Sequence, residues 1–200
     1  PDAHSVVHTT KLCGAGVAYL LSKELKVKNE KLKVAADTHL ELAALGTIAD
    51  MVPLTEGNRA IVKHGLLKIG QTKRLGLQAL FNQSGLEKKI LTPYEVGYII
   101  APRLNAAGRI ESGMDSLRLL CTTDPSRAKQ LAEKLESINK ERQLVLRDAT
   151  EHAILSVQNL NSKPKHIIFV ADKSYQAGVI GLVAGKLVEE FYLPSIVLSI

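Results

Sequence analysis

Between Asp124 and Pro164 the chain carries one proline, Pro125, and no glycine. A run of that length with no breaker constrains the fold more than any other feature. Asp124 followed by Pro125 is a helix start: a short carboxylate to cap the first turn, and a proline whose fixed φ suits the first helical position. Ala128, Leu131, Leu135, Ile138, Val145 and Ala149 then recur at close to heptad spacing. Glu136 and Lys140 stand in the favourable order for an i,i+4 ion pair. The expectation is one helix from Pro125 to about Leu160. A helix of this kind serves either in a bundle or as a rigid connector between domains. The connector reading is preferred, because the composition changes after it.

The last segment of the chain reads as a βαβ unit. Pro164 to Asp172, with His166-Ile167-Ile168-Phe169-Val170, has a buried-strand pattern. Lys173 to Gly178 is a loop, Val179 to Phe191 a helix, and Leu193 to Ile200 a second strand. Two strands joined this way are expected to be parallel, with a right-handed crossover. Ligands of such units sit beyond the carboxyl ends of the strands. Asp172 to Gly178 is therefore a candidate site, where Gly178 could admit a phosphate near the helix N-terminus. The plainer reading of that loop is a simple connection.

The middle of the chain holds Ala101-Pro102-Arg103-Leu104-Asn105-Ala106-Ala107-Gly108-Arg109, with two arginines and no carboxylate. Asn105 and Arg109 share a helix face. Arg103, six residues before Arg109, fits that face only if the helix starts after it. Guanidinium forks with no acid at hand suit phosphate. The competing reading is an interdomain hinge whose arginines pair with distant acids. Upstream, Asp50 is the only charge in the apolar run Leu42 to Leu54. A carboxylate in such a setting is costly unless paired, hydrogen-bonded or bound to a metal; before a turn it can also be an ordinary N-cap.

The remaining segments read mostly as helices. Gly14-Ala15-Gly16 is a tight entry to a helix over Val17 to Leu25; a dinucleotide fingerprint would need glycine at Tyr19 and a preceding strand. Thr38 and Glu41 have capping-box spacing for a helix beginning near Asp37. Gly57 and Asn58 suggest a turn before a helix from Arg59 to Ile69, stopped by Gly70. Leu75 to Phe81 is a short helix ended by the turn Asn82 to Gly85. Thr92, Pro93 and Glu95 start a helix that leads into the arginine stretch. His4 and His8 have two-histidine helix spacing, but no third ligand is near.

Two hundred residues make one large or two small domains, and 46% hydrophobic content excludes bulk disorder. A formal charge of +6 leans toward an anionic partner, nucleic acid first. Cys13 and Cys121 match no metal or redox spacing, which points to a reducing, cytoplasmic compartment. Lys186 breaks the best apolar run, Val179 to Val188, so no membrane span is expected. There is no signal peptide, P-loop, zinc spacing or G-x-S-x-G elbow. The start at Pro1 and the end inside a strand-like run read as cut ends.

Several stretches carry a family resemblance. Leu42 to Leu54 (LAALGTIADMVPL), with Asn58-Arg59, resembles a motif of the DHH phosphoesterase superfamily, and more narrowly of the RecJ-like single-stranded-DNA exonucleases. Pro102 to Arg109 (PRLNAAGR) is similar to a second motif of that group. Asn139-Lys140-Glu141-Arg142-Gln143 resembles its pattern in a long connecting helix. Tyr175 to Gly181 looks like the start of a DHH-associated domain, and Leu12 to Ala18 is family-like too. The resemblance covers nearly the whole chain, in order.

It implies a helix-rich α/β chain. Residues 1–123 would form the C-terminal, helical part of a DHH domain, 124–162 a connector helix, and 163–200 the start of a βαβ DHH-associated domain. The implied activity is 5′-to-3′ hydrolysis of single-stranded DNA with Mn²⁺ or Mg²⁺, in DNA repair and recombination. DNA-repair or single-strand-binding proteins would be partners. Asp50 matches a metal-binding, catalytic aspartate, and Arg103, Asn105 and Arg109 match a motif facing the DNA cleft; Gln176 and Gly178 would join them. The chain departs from the pattern too. It has no Asp-His-His, no upstream aspartate motifs and no downstream Gly-Gly-His. Tyr175 and Gln176 stand where tryptophan and histidine are usual. The expectation is therefore a central fragment of such an enzyme, inactive by itself. The alternatives are a DHH phosphodiesterase for short RNA or cyclic dinucleotides, a non-catalytic DHH replication scaffold, and a helical binding module outside the superfamily.

Overall fold

A computed structural model describes residues 9, 11–28, 39–87, 90–110, 112–160 and 164–200. Those residues form eight α-helices, one π-helical segment and two strands, the helix-rich α/β class expected. The helices are α1 (Gly14–Lys28), α2 (Leu40–Ala49), α3 (Glu56–Gly70), α4 (Leu75–Gln83), α5 (Ala101–Ile110), α6 (Met114–Cys121), α7 (Pro125–Gln158) and α8 (Ile180–Phe191). The strands are β1 (Ile168–Asp172) and β2 (Ser195–Ser199). The chain divides into two compact units, one of residues 1–102 with 119–132, the other of 103–118 with 133–200.

The first unit is built round α2. Its sequence, LELAALGTIA, has one charge and no polar face, and Leu40, Ala43, Ala44, Leu45, Thr47 and Ile48 are buried. A helix apolar nearly all round must be covered on several sides. Small residues allow it. A Cβ on Gly65 of α3 would lie 2.2 Å from that of Ala44, and one on Gly46 would lie 2.7 Å from that of Ala15 in α1. α4 closes against the residues leading into the long helix in the same way, since a Cβ on Gly76 would fall 1.9 Å from the Leu119 carbonyl oxygen.

In the second unit β1 and β2 pair in parallel, from Ile168 with Ser195 to Asp172 with Ser199. Ile168, Val170 and Val197 form one core with Ala149, Ala153 and Val157 of α7 and Val183 and Leu187 of α8. Phe169, Ile196 and Leu198 are on the exposed side, as the period of two requires. The βαβ reading holds, with both strands shorter than the apolar runs that signalled them.

The long helix spans Pro125–Gln158, and Asp124 caps it, its Oδ1 accepting the Ser126 N–H at 2.8 Å. Thr92 and Glu95 also do what their spacing implies: the Thr92 N–H donates to Glu95 Oε2 at 2.8 Å. The next turn differs from expectation, because Glu95–Ile100 is π-helical before α5 begins. Gly57 and Asn58 are not a turn; they lie inside α3, which starts at Glu56. There Asn58 is buried and donates to the carbonyls of Lys11 at 2.7 Å and Pro53 at 3.0 Å. His4, His8, Asp37 and Thr38 lie outside the described residues. No helix among the described residues is long and apolar enough to cross a membrane.

Candidate functional site

Asp50 is placed by the way α2 ends. It is the C-cap, and Met51 after it has φ 53°. The Met51 N–H bonds to the Ile48 carbonyl at 3.0 Å and the Val52 N–H to the Thr47 carbonyl at 3.2 Å, the paired bonds of a Schellman motif. The turn aims Asp50 outward, and it is exposed. It is therefore neither a carboxylate sealed in an apolar setting nor an N-cap. Its charge sits at the negative end of the helix dipole, where a cation is favoured and an anion is not. It can supply one carboxylate to a divalent ion. It cannot make a centre alone, and no group of three or more His, Cys, Asp or Glu side chains comes together among the described residues.

The arginine stretch lies in the second unit from Arg103 on. α5 begins at Ala101, so Arg103 is within the helix and not on the Asn105–Arg109 face. Its Nε donates to Glu136 Oε2 of α7 at 2.6 Å, with both side chains largely buried. The stretch is thus not free of acids: one of its arginines has taken a partner 33 residues away. Glu136 was expected to pair with Lys140, and that contact exists at a looser 3.7 Å.

Arg109 and Asn105 are exposed. The Arg109 Nη1 donates to the Gly178 carbonyl at 3.2 Å. A Cβ on Gly178 would fall 2.2 Å from the Arg109 carbonyl oxygen. The structure thus brings together Arg109 and Gly178, two sites singled out separately in the sequence. It uses the missing side chain of Gly178 for backbone approach. Gln176 is exposed on the same loop. Tyr175 beside it is buried, and its hydroxyl hydrogen-bonds His152 Nδ1 of α7 at 2.8 Å. Burial, and then the charge of Asp172, raise the Tyr175 phenol above its ordinary value. Asp172 turns inward on the loop: its Oδ1 accepts both the hydroxyl of Ser174 at 2.6 Å and its N–H at 2.8 Å. These bonds, side chain first, lower its carboxyl below the ordinary value.

Arg142 is the residue of interest that no local motif chemistry singles out. It falls where the repeat Ala128, Leu131, Leu135, Ile138, Val145, Ala149 would put an apolar residue, and it lies in the family-like stretch Asn139 to Gln143; those are the two signals the sequence carries. Its Nη2 donates to Asn139 Oδ1 at 3.1 Å, its Nε is buried with no partner among the described residues, and burial, then the charge of Arg109, lower its proton affinity.

No protein-family model matches the chain. The RecJ single-stranded-DNA-specific exonuclease of Bacillus subtilis is 40% identical over 209 residues, which cover 100% of this chain and 26% of that protein. The enzyme of the same name from Haemophilus influenzae is 33% identical over 92% of this chain and 34% of its own length. That from Thermus thermophilus is 37% identical over 92% and 26%. The chain thus spans about a quarter to a third of the length of these curated relatives. Among solved structures, Thermus thermophilus RecJ in complex with Mn²⁺ matches 100% of this chain and 28% of its own, at 33% identity and a TM-score of 0.83. The same protein in complex with Mg²⁺ matches at 32% identity and a TM-score of 0.81, covering 100% and 30%. Likeness along the whole of its length, in sequence and in fold alike, places this chain in the RecJ family.

Proposed function

We propose that this chain is part of a metal-dependent 5′-to-3′ single-stranded-DNA exonuclease acting in DNA repair and recombination, and that it does not hydrolyse DNA by itself. The observation that carries this reading is Arg109. It is an exposed guanidinium whose one described hydrogen bond goes to a backbone carbonyl, not to an acid. Such a group is available to phosphate. Relatives named as single-stranded-DNA exonucleases and solved with Mn²⁺ or Mg²⁺ support it.

In this reading Asp50 provides one ligand of a Mn²⁺ or Mg²⁺ site, and the ions supply a nucleophilic water and a polarised phosphate when bound. Arg109 holds a phosphate of the strand. Asn105 and Gln176 offer exposed amides to it, and the Gly178 carbonyl fixes the Arg109 fork. Arg103 contributes by anchoring α5 to α7 through Glu136. Residues 1–123, 124–162 and 163–200 are the DHH part, the connector and the start of the associated domain. The protein works in the cytoplasm, in keeping with two free thiols, Cys13 and Cys121, beside DNA-repair or single-strand-binding proteins.

The test is digestion of end-labelled single-stranded DNA with Mn²⁺, by this chain and by one extended upstream to include an Asp-His-His segment. Only the extended chain should degrade the strand, releasing mononucleotides from the 5′ end. Activity on dinucleotides alone would move the substrate to short RNA or cyclic dinucleotides. Binding without cleavage would make the parent a scaffold.

A further inference from the structure

Arg142 is poorly accounted for by structure alone. It takes a core position of the long helix, is half-buried, and keeps a buried Nε–H with no acceptor among the described residues. Burying a guanidinium donor without a partner is unfavourable. The described hydrogen bonds of Arg142 and Arg109 go to Asn139 Oδ1 and the Gly178 carbonyl, so neither meets a carboxylate among the described residues. Yet Arg109 is near enough for its charge to act on Arg142. Two like charges held together in a partly desolvated place call for an anion. The neighbouring arginine shows the contrast: Arg103 is buried against Glu136 and is neutralised.

We infer that Arg142 is a second phosphate-binding residue, acting with Arg109 on one phosphate of a single strand, and that Asn139 is the residue that positions it. This inference rests on the proposed function and deepens it. α7 carries Glu136, Asn139 and Arg142 at intervals of three residues, so the helix separates the arginines. Glu136 removes Arg103 from the phosphate face, while Asn139 holds Arg142 without cancelling its charge. The neutral amide matters. It takes one Nη and leaves the charge of the guanidinium in place.

The experiment is equilibrium binding of a fluorescent oligothymidylate by the full-length protein in Ca²⁺ without Mn²⁺, over a salt series. Oligomers with a 5′-phosphate and with a 5′-hydroxyl are compared, for the wild type, Arg109→Gln, Arg142→Gln, Arg142→Lys and Asn139→Asp. Arg142→Gln is expected to weaken binding by roughly ten- to a hundredfold and to lower the salt slope by about one. Arg142→Lys should recover the slope but only part of the affinity. Asn139→Asp keeps the arginine but pairs it, and should lower the slope like Arg142→Gln, with its melting temperature retained. A penalty confined to the 5′-phosphorylated strand assigns a terminal phosphate, and an equal penalty on both assigns an internal one. If Arg109→Gln weakens binding while the Arg142 and Asn139 variants bind with wild-type affinity and slope, the inference fails and the proposed function stands. If Arg142→Gln does not fold, Arg142→Lys binding with full wild-type affinity overturns it. A wild-type protein that binds neither strand overturns both.

Discussion

Met51 shows how a single residue places the candidate metal ligand. At φ 53° it holds a conformation that L side chains avoid, at a cost of about 1–2 kcal/mol, and the residue is 88% exposed, so packing returns little. What the strain secures is the Schellman turn that leaves Asp50 at the helix end. Met51→Gly should therefore stabilise the protein by roughly 0.5–1 kcal/mol, after the entropy of the added glycine is subtracted, measured by urea denaturation. Glu136→Ala should act the other way. It takes away the carboxylate 2.6 Å from the largely buried Arg103 guanidinium, and losing a hydrogen bond between charged groups costs about 1.5–3 kcal/mol. Asp50 and Arg103 also mark the limit of reading from sequence. Asp50 stood out because its neighbours are apolar, but its exposure depends on the turn. Arg103 looked free because its partner is 33 residues away, beyond any local pattern.

Elements were the more legible scale. The absence of breakers, the heptad spacing and the Asp124 cap all point to one long helix, and α7 covers 34 residues, about 51 Å at the usual rise. The strand–helix–strand order of the last segment was equally plain, since apolar runs and a polar loop mark it. Boundaries set by long-range contacts were not legible. Nothing in Glu95–Ile100 distinguishes a π-helical turn from an α-helical one, and α6 is too short for its period to show. α6 is tied to α7 by charge: Asp115 accepts from Lys134 at 2.7 Å and from Arg118 of its own helix at 2.9 Å. The Lys134 hydrogen bond, then that of Arg118, lower the Asp115 carboxyl below its ordinary value. The folded group thus holds its proton less tightly than the unfolded one, whose value is near ~3.9. Its contribution is present above that value and fades as the pH falls through the depressed one. Asp115→Asn should flatten this part of the acid limb of a stability–pH curve below about pH 4, and high salt should weaken it, because Lys134 and Arg118 are about half exposed.

At the scale of the whole molecule, the ordered series of family motifs was the most informative part of the sequence, and it was readable because each motif is short and local. What it left open is completeness of the chemistry. A divalent ion active in phosphodiester hydrolysis needs several oxygen or nitrogen ligands and an open position, whereas the described residues bring forward Asp50 and no cluster round it. Binding and catalysis should therefore separate in this protein. The 200-residue chain should retain a salt-sensitive affinity for single-stranded DNA through its second unit, and show no Mn²⁺-dependent release of nucleotides above background. In a chain extended upstream, Asp50→Ala should reduce cleavage by more than about a hundredfold, beyond what loss of a supporting residue round a metal costs, while leaving strand affinity within a fewfold of wild type. Arg109→Gln should weaken binding first. An Asp50→Ala variant that still cleaves at the wild-type rate would remove Asp50 from the metal site and leave the phosphate-binding arginines untouched.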